Sequence, residues 1–126
     1  RESMKLAEVV RILQAEVLVP VPDMEREVLS ACGADLMSDV LAFIKERTLL
    51  LTGLTNPQVI RTAEIIDLAG IVFVRGKRPG PDVLELARAQ NLPVFLTRFP
   101  MYESCGLLFQ AGLGGCMLGR GGGYGK

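Results

Sequence analysis

From Leu49 onward the chain alternates between short apolar runs and segments of helical periodicity. The runs are "TLLLTG", "IVFV" and "LPVFLT"; between and after them lie "TNPQVIRTAEIIDLAG", "PDVLELARAQN" and "MYESCGLLFQAGL". The runs have no polar alternate positions. A strand without a polar face is covered on both sides, as strands of parallel sheets are. Strand and helix in strict alternation, with short connections, mean βαβ units with right-handed crossovers. The expected fold is therefore a three-layer α/β/α arrangement around a mostly parallel sheet.

Local signals set the expected boundaries. Asn56 caps a helix with Pro57 at its first position, and Gly70 closes it. Pro81 opens the next helix. Upstream, "MKLAEVVRILQ" spaces Leu6, Val9, Val10 and Leu13 as an amphipathic helix, with Lys5, Glu8 and Arg11 facing away. "EVLVPVP" reads as a strand cut off by Pro20 and Pro22. Glu27 to Cys32 reads as a second strand ending in a turn at Gly33. "ADLMSDVLAFIKER" reads as a helix with Asp35 as N-cap. Residues 1–3, ahead of Met4, read as additions to the native sequence. One domain is expected over residues 4–113, followed by a Gly-rich flexible tail over 114–126.

Composition narrows the function classes. At 126 residues, 49% of them hydrophobic, the chain buries a real core. Fourteen basic residues balance fourteen acidic ones, so the basic excess of a nucleic-acid binder is missing. There is no histidine, which excludes Ser-His-Asp and Cys-His catalysis as usually built and every His-ligated metal site. Cys32, Cys105 and Cys116 form no C-x-x-C pair and read as reduced cytosolic thiols. Three such cysteines fall short of the usual four iron–sulfur ligands. No apolar run approaches a membrane span. The expectation is a cytoplasmic protein without cofactor, metal, nucleic acid or membrane.

The terminal "GRGGGYGK" invites a phosphate-loop reading, which the spacing rejects. The pattern G-x-x-x-x-G-K-[ST] asks for glycine at 120, where Arg120 stands, and for Ser or Thr after Lys126.

In open parallel sheets, ligands bind outside the carboxyl ends of the strands. Four loops are expected at that edge: Gly33 to Asp35, Thr52 to Asn56, Arg75 to Arg78, and Thr97 to Phe99. The third is the most informative. Arg75, Lys77 and Arg78 put three cations, with Gly76, into one strand-to-helix loop, which suits an anionic ligand at a helix N-terminus. Turn geometry alone also accounts for its glycines, and solvation for its charges. Asp35 and Asp39 stand four apart, as a metal or acid/base pair would; a helix start also recruits Asp as cap and dipole complement. Tyr102 and Glu103 open the last helix at the same edge. The candidate ligand-binding residues are Asp35, Thr52, Asn56, Arg75, Gly76, Lys77, Arg78, Thr97 and Tyr102, with none catalytic.

The stretch from "LLLTGLTNPQ" through "RGKRPGPDVLELA", "LPVFLT" and "YES" resembles the DRTGG domain family, over roughly Lys5 to Leu113. It is also similar to the N-terminal, non-kinase part of HPr kinase/phosphorylase. Thr55-Asn56 stands where the family signature has Asp-Arg, and Val74-Arg75-Gly76 where it has Thr-Gly-Gly. The resemblance implies a non-catalytic regulatory module, a homodimer, and a small anionic ligand or nucleotide. Stand-alone members are often encoded near iron-only hydrogenases and sensor kinases, which implies a hydrogenase-linked or signalling partner. "CGLLFQAGL", with Leu107, Leu108 and Leu113, is a candidate dimer contact or simply packs on the sheet. An adaptor without a small ligand and a small phosphotransfer enzyme using Lys77, Arg78 and Asp35 are the alternatives.

Overall fold

A computed structural model describes residues 3–115. The elements are β1 (Met4–Lys5), α1 (Leu6–Leu13), β2 (Glu16–Val19), β3 (Glu27–Val28), β4 (Ser30–Gly33), α2 (Met37–Phe43), β5 (Thr48–Thr52), α3 (Pro57–Ile65), β6 (Leu68–Phe73), α4 (Pro81–Ala89), β7 (Val94–Leu96) and α5 (Met101–Gln110). The main sheet has the order β2-β7-β6-β5-β4. Strands β4 to β7 run parallel, and β2 pairs antiparallel with β7 at one edge. The expected α/β/α layering and mostly parallel sheet are both present.

The apolar runs behave as their composition requires. Every residue of β5, β6 and β7 is buried. Alternate residues feed two separate cores. Leu50, Ile71 and Phe73 face the layer of α2, α3 and α4, where they meet Val40, Val59, Ile60 and Val83. Leu49, Leu51, Val72 and Phe95 face the layer of α1 and α5, where they meet Leu6, Val9, Leu13 and Leu108. Burying a side chain of this size contributes about 1.5–3 kcal/mol.

Five expectations need correction. The opening helix starts at Leu6, because Met4 and Lys5 pair with Val28 and Glu27 as a small antiparallel ribbon. The strand expected from Glu27 to Cys32 is therefore two. It breaks at Leu29, whose N–H turns to the carbonyl of Arg47. Asp35 is not the N-cap of α2. Leu36 holds that position without a side-chain bond, and the Asp35 carboxylate reaches β5 instead. Gly70 does not end α3. The helix stops at Ile65, and Gly70 lies inside β6, where an added Cβ would stand 3.3 Å from the Pro93 carbonyl oxygen and 3.4 Å from the Phe95 ring. The glycine is needed for strand packing, not for a turn. Leu108 and Leu113 are 1% and 2% exposed and belong to the core, so they present no dimer contact.

After β7 the chain crosses the sheet as α5 and arrives at the outer edge of β4. There the Ala31 N–H donates to the Gly114 carbonyl at 2.9 Å, and Ala31 forms a parallel bridge with Gly115. The tail expected over 114–126 otherwise lies outside the described residues, as do Cys116 and residues 1 and 2.

Candidate functional site

Because β4 to β7 are parallel, the four expected loops do meet at one edge. Hydrogen bonds lace them together. Asp35 Oδ1 accepts from the Thr52 hydroxyl at 3.0 Å and from the Gly53 N–H at 2.8 Å, joining the first loop to the second. The Val74 N–H donates to the Thr52 carbonyl at 3.1 Å. The N–H groups of Arg75 and Gly76 donate to the carbonyls of Phe99 and Thr97, both at 2.9 Å, joining the third loop to the fourth.

Val74 to Lys77 form a tight turn, closed by the Lys77 N–H to the Val74 carbonyl at 3.1 Å. Its central residues, Arg75 and Gly76, have φ of 60° and 68°. Both at positive φ is the requirement of a type I′ turn, easy for glycine and disfavoured for arginine. The turn points its N–H groups inward, where all three are bonded. The N–H groups of Arg75, Gly76 and Lys77 are therefore taken up within the fold and do not form a cradle for phosphate. Arg75, Gly76, Lys77 and Arg78 are all exposed.

The candidate residues divide accordingly. Thr52 and Thr97 are fully buried. The Thr52 hydroxyl serves Asp35 and accepts from the Leu54 N–H. The Thr97 hydroxyl donates to the Leu13 carbonyl at 2.7 Å and accepts from the Phe99 N–H. Asn56 caps α3, accepting from the Gln58 N–H at 3.0 Å. Arg78 pairs with Glu16 on the edge strand β2 at 2.7 Å. What remains outward is Arg75, Lys77, the second oxygen of Asp35, and Tyr102, 86% exposed at the start of α5.

A groove that sequence reasoning missed opens beside these residues. It lies between α5 and the outer edge of β4, has a volume of about 760 Å³, and runs from Phe99 and Tyr102 past Cys105 and Phe109 to Leu113. Its lining is mostly apolar. Glycines shape it. An added Cβ on Gly33 would come within 2.9 Å of Cys105 Sγ, so α5 approaches β4 at this point only over a glycine. Gly106 has nothing within 4 Å of where its Cβ would stand, so the groove is open over it. Burial pushes the Cys105 thiol pKa up. The signal in the sequence was "SCGLLFQ", whose glycine and exposed Phe109 make sense only once β4 lies opposite.

A second cavity, of about 530 Å³ and polar, lies at the opposite end of the sheet and includes Arg26, Arg47, Asp67 and Asn91. Neither cavity is lined by residues 74–80. Among the described residues no three His, Cys, Asp or Glu side chains gather to hold a metal ion, and no helix is long and apolar enough to cross a membrane.

A family model described as the DRTGG domain matches residues 8–111. Among solved structures, the chain is similar to the crystal structure of the CBS and DRTGG domains of the regulatory region of Clostridium perfringens pyrophosphatase, complexed with the activator diadenosine tetraphosphate. The TM-score is 0.72 at 17% identity, and the match covers 85% of this chain and 46% of that one. At that identity the likeness shows the fold. The chain thus spans about half the length of the structure it matches. No curated protein sequence matches it.

Proposed function

This chain belongs to the DRTGG domain family, and we propose that it acts as a non-catalytic regulatory module that binds a small ligand at the carboxyl edge of its sheet. The ligand class is a molecule with a flat apolar body and a negative charge, such as a nucleotide. The apolar body enters the groove beside α5, and the charge meets the Arg75 and Lys77 side chains.

The observation that carries this reading is the continuity between groove and cations through Phe99. Phe99 lines the groove, and its carbonyl accepts from the Arg75 N–H at 2.9 Å. A cavity of several hundred cubic ångströms with few polar groups is what ligand sites of this size look like. Three further facts favour regulation over catalysis. The sequence has no histidine. One oxygen of the Asp35 carboxylate is committed to Thr52 and Gly53. The solved relative is the regulatory region of an enzyme.

A second reading is an adaptor that binds a protein, such as a hydrogenase-linked or signalling protein, without a small ligand. It is favoured by the exposure of Tyr102 and Phe109, 86% and 61%.

A thermal-shift and calorimetric screen of nucleotides and dinucleotides separates the two. The ligand reading expects a saturable rise in Tm. The rise is lost in Gly106→Phe, which fills the groove from an open position, and weakened in Arg75→Ala/Lys77→Ala. A flat response in the wild type rejects the ligand reading and leaves the adaptor.

A further inference from the structure

The amino ends of the parallel strands border the second cavity, about 530 Å³ in volume. Separate segments bring residues to it: Arg26 and Glu27 from the chain ahead of β4, Arg47 from the α2–β5 loop, Asp67 from the α3–β6 loop and Asn91 from the α4–β7 loop. Buried Ala63, Leu68 and Leu92 supply its apolar part. We propose that this cavity binds a free α-amino acid with a polar side chain, whose carboxylate meets Arg26 and Arg47 and whose ammonium group meets Glu27 and Asp67.

Backbone bonds hold the walls together. The Arg47 N–H donates to the Asp67 carbonyl at 2.7 Å, and the Leu29 N–H donates to the Arg47 carbonyl at 2.9 Å. Arg47 is held between them at a φ of 59°, in the left-handed region that suits glycine better than arginine. Its guanidinium donates to the Glu27 carbonyl at 3.2 Å, one residue along from Arg26. Most of its donors stay available after that bond. The Gln90 side-chain amide is anchored on the Ile60 carbonyl at 3.4 Å, which leaves its own oxygen as an acceptor.

The charges decide the ligand class. Two guanidinium groups and two carboxylates line the cavity, so their formal charges cancel. Among the described residues no ion pair joins them, and the Arg26 and Asp67 side chains have no hydrogen-bond partner. Opposite charges that share a cavity without closing on one another leave room for a molecule carrying both signs. A simple anion meets the arginines but also the repulsion of the two carboxylates, and a simple cation meets the reverse. A zwitterion satisfies both. The guanidinium fork matches a carboxylate in shape and charge. The amides of Gln90 and Asn91 offer donors and acceptors to a polar side chain. The volume is in the ordinary range for small-molecule sites and holds an amino acid with its bridging waters. The cavity lies at the opposite end of the sheet from the groove beside α5, so the proposal does not depend on the ligand reading given above.

The test is calorimetry and thermal shift on the full chain with serine, asparagine, glutamine, glutamate and lysine, each up to about 10 mM. The expected result is saturable binding of at least one of them, with a rise in Tm. Its N-acetyl and methyl ester derivatives each lack one charge and bind at least about tenfold more weakly, the effect of losing a charge-assisted hydrogen bond. Arg26→Gln and Asp67→Asn change side chains that make no bond in the fold. Both keep the wild-type circular dichroism spectrum and weaken binding by a similar factor. Gly106→Phe, in the groove beside α5, leaves binding unchanged. No binding across the five amino acids overturns the proposal. So does a derivative that binds as tightly as its parent, or full affinity in Arg26→Gln. Loss of binding in Gly106→Phe puts the amino acid in the groove and overturns it as well.

Discussion

The Thr52 hydroxyl donates to the Asp35 carboxylate at 3.0 Å, across 17 residues of sequence and between the ends of two neighbouring parallel strands. The same oxygen takes the Gly53 N–H at 2.8 Å. A residue expected to start a helix thus fixes the first two loops of the carboxyl edge to each other. Asp35→Ala leaves a fully buried hydroxyl without its acceptor, and removing such a partner costs about 1–3 kcal/mol. Asp35→Asn keeps an acceptor oxygen and loses about half as much. Urea titration followed by circular dichroism measures both, and equal losses in the two variants would contradict the account.

Ser30 and Thr48 form a buried hydroxyl pair at 2.8 Å across β4 and β5. Thr48 also donates to the Lys45 carbonyl at 2.7 Å. The Thr48 proton is therefore committed to Lys45, and Ser30 is the donor to Thr48. The two deletions are then unequal. Thr48→Val strands both the Ser30 hydroxyl and the Lys45 carbonyl and costs about 2–3 kcal/mol; Ser30→Ala strands neither and costs about 1 kcal/mol. The ranking is read from denaturation midpoints of the two variants.

Gly33 is packed against α5 so closely that an added Cβ meets Cys105 Sγ at 2.9 Å and Met101 Sδ at 3.0 Å. Gly33→Ala forces α5 outward and lowers stability by about 1–3 kcal/mol. Cys105→Ala removes the obstructing sulfur. The double variant is expected to be less destabilised than the sum of the two single changes, a coupling that a double-mutant cycle reads directly. Strict additivity would show that the clash relaxes elsewhere.

Burial raises the Cys105 thiol pKa above its ordinary value of 9.0. Between the unfolded and the folded pKa, the native chain holds a proton that the unfolded chain has released. Stability then falls as pH rises through that alkaline window. The native state keeps its full margin below the unfolded pKa. Cys105→Ala removes this contribution to the slope, so wild-type and variant Tm curves converge or cross above about pH 9 and run parallel below pH 8. Alkylation of Cys105 by iodoacetamide at pH 8 is expected to be slower in the native chain than in the urea-unfolded chain, because the thiolate is the reacting form.

Much of the architecture was legible because it rests on local, strong signals. The uninterrupted apolar run at Leu49 to Leu51 is buried on both faces by composition alone, and no other placement satisfies it. Asn56 and Pro57 both sit where helix-start chemistry puts them. The single antiparallel edge strand β2 was legible as a strand, but not its direction. Pairing partners are set by where the chain can return, which a short run of Val and Leu does not encode.

The site was less legible. Thr52, Thr97 and Asn56 have the polar groups of ligand-binding residues, yet each satisfies backbone or side-chain partners of the fold itself. A polar side chain at a strand end reads the same in sequence whether it meets a ligand or a neighbouring loop. The turn at Arg75 and Gly76 carries the cations that suggested an anion site. Its φ signs, which decide that the N–H groups point inward, become fixed only when Phe99 and Thr97 offer carbonyls.

The sequence by itself determined that residues 48–110 form a doubly covered parallel sheet with helices between its strands, because apolar periodicity and helix-start chemistry act over a few residues. Only the tertiary structure decided that Gly70 lies inside a strand, that Asp35 serves Thr52, and that α5 returns the chain to the edge of β4. Those outcomes depend on groups far apart in the chain that meet once the layers close. The groove beside α5 exists for the same reason: Gly33 and Cys105 stand 72 positions apart in sequence and meet only in the fold.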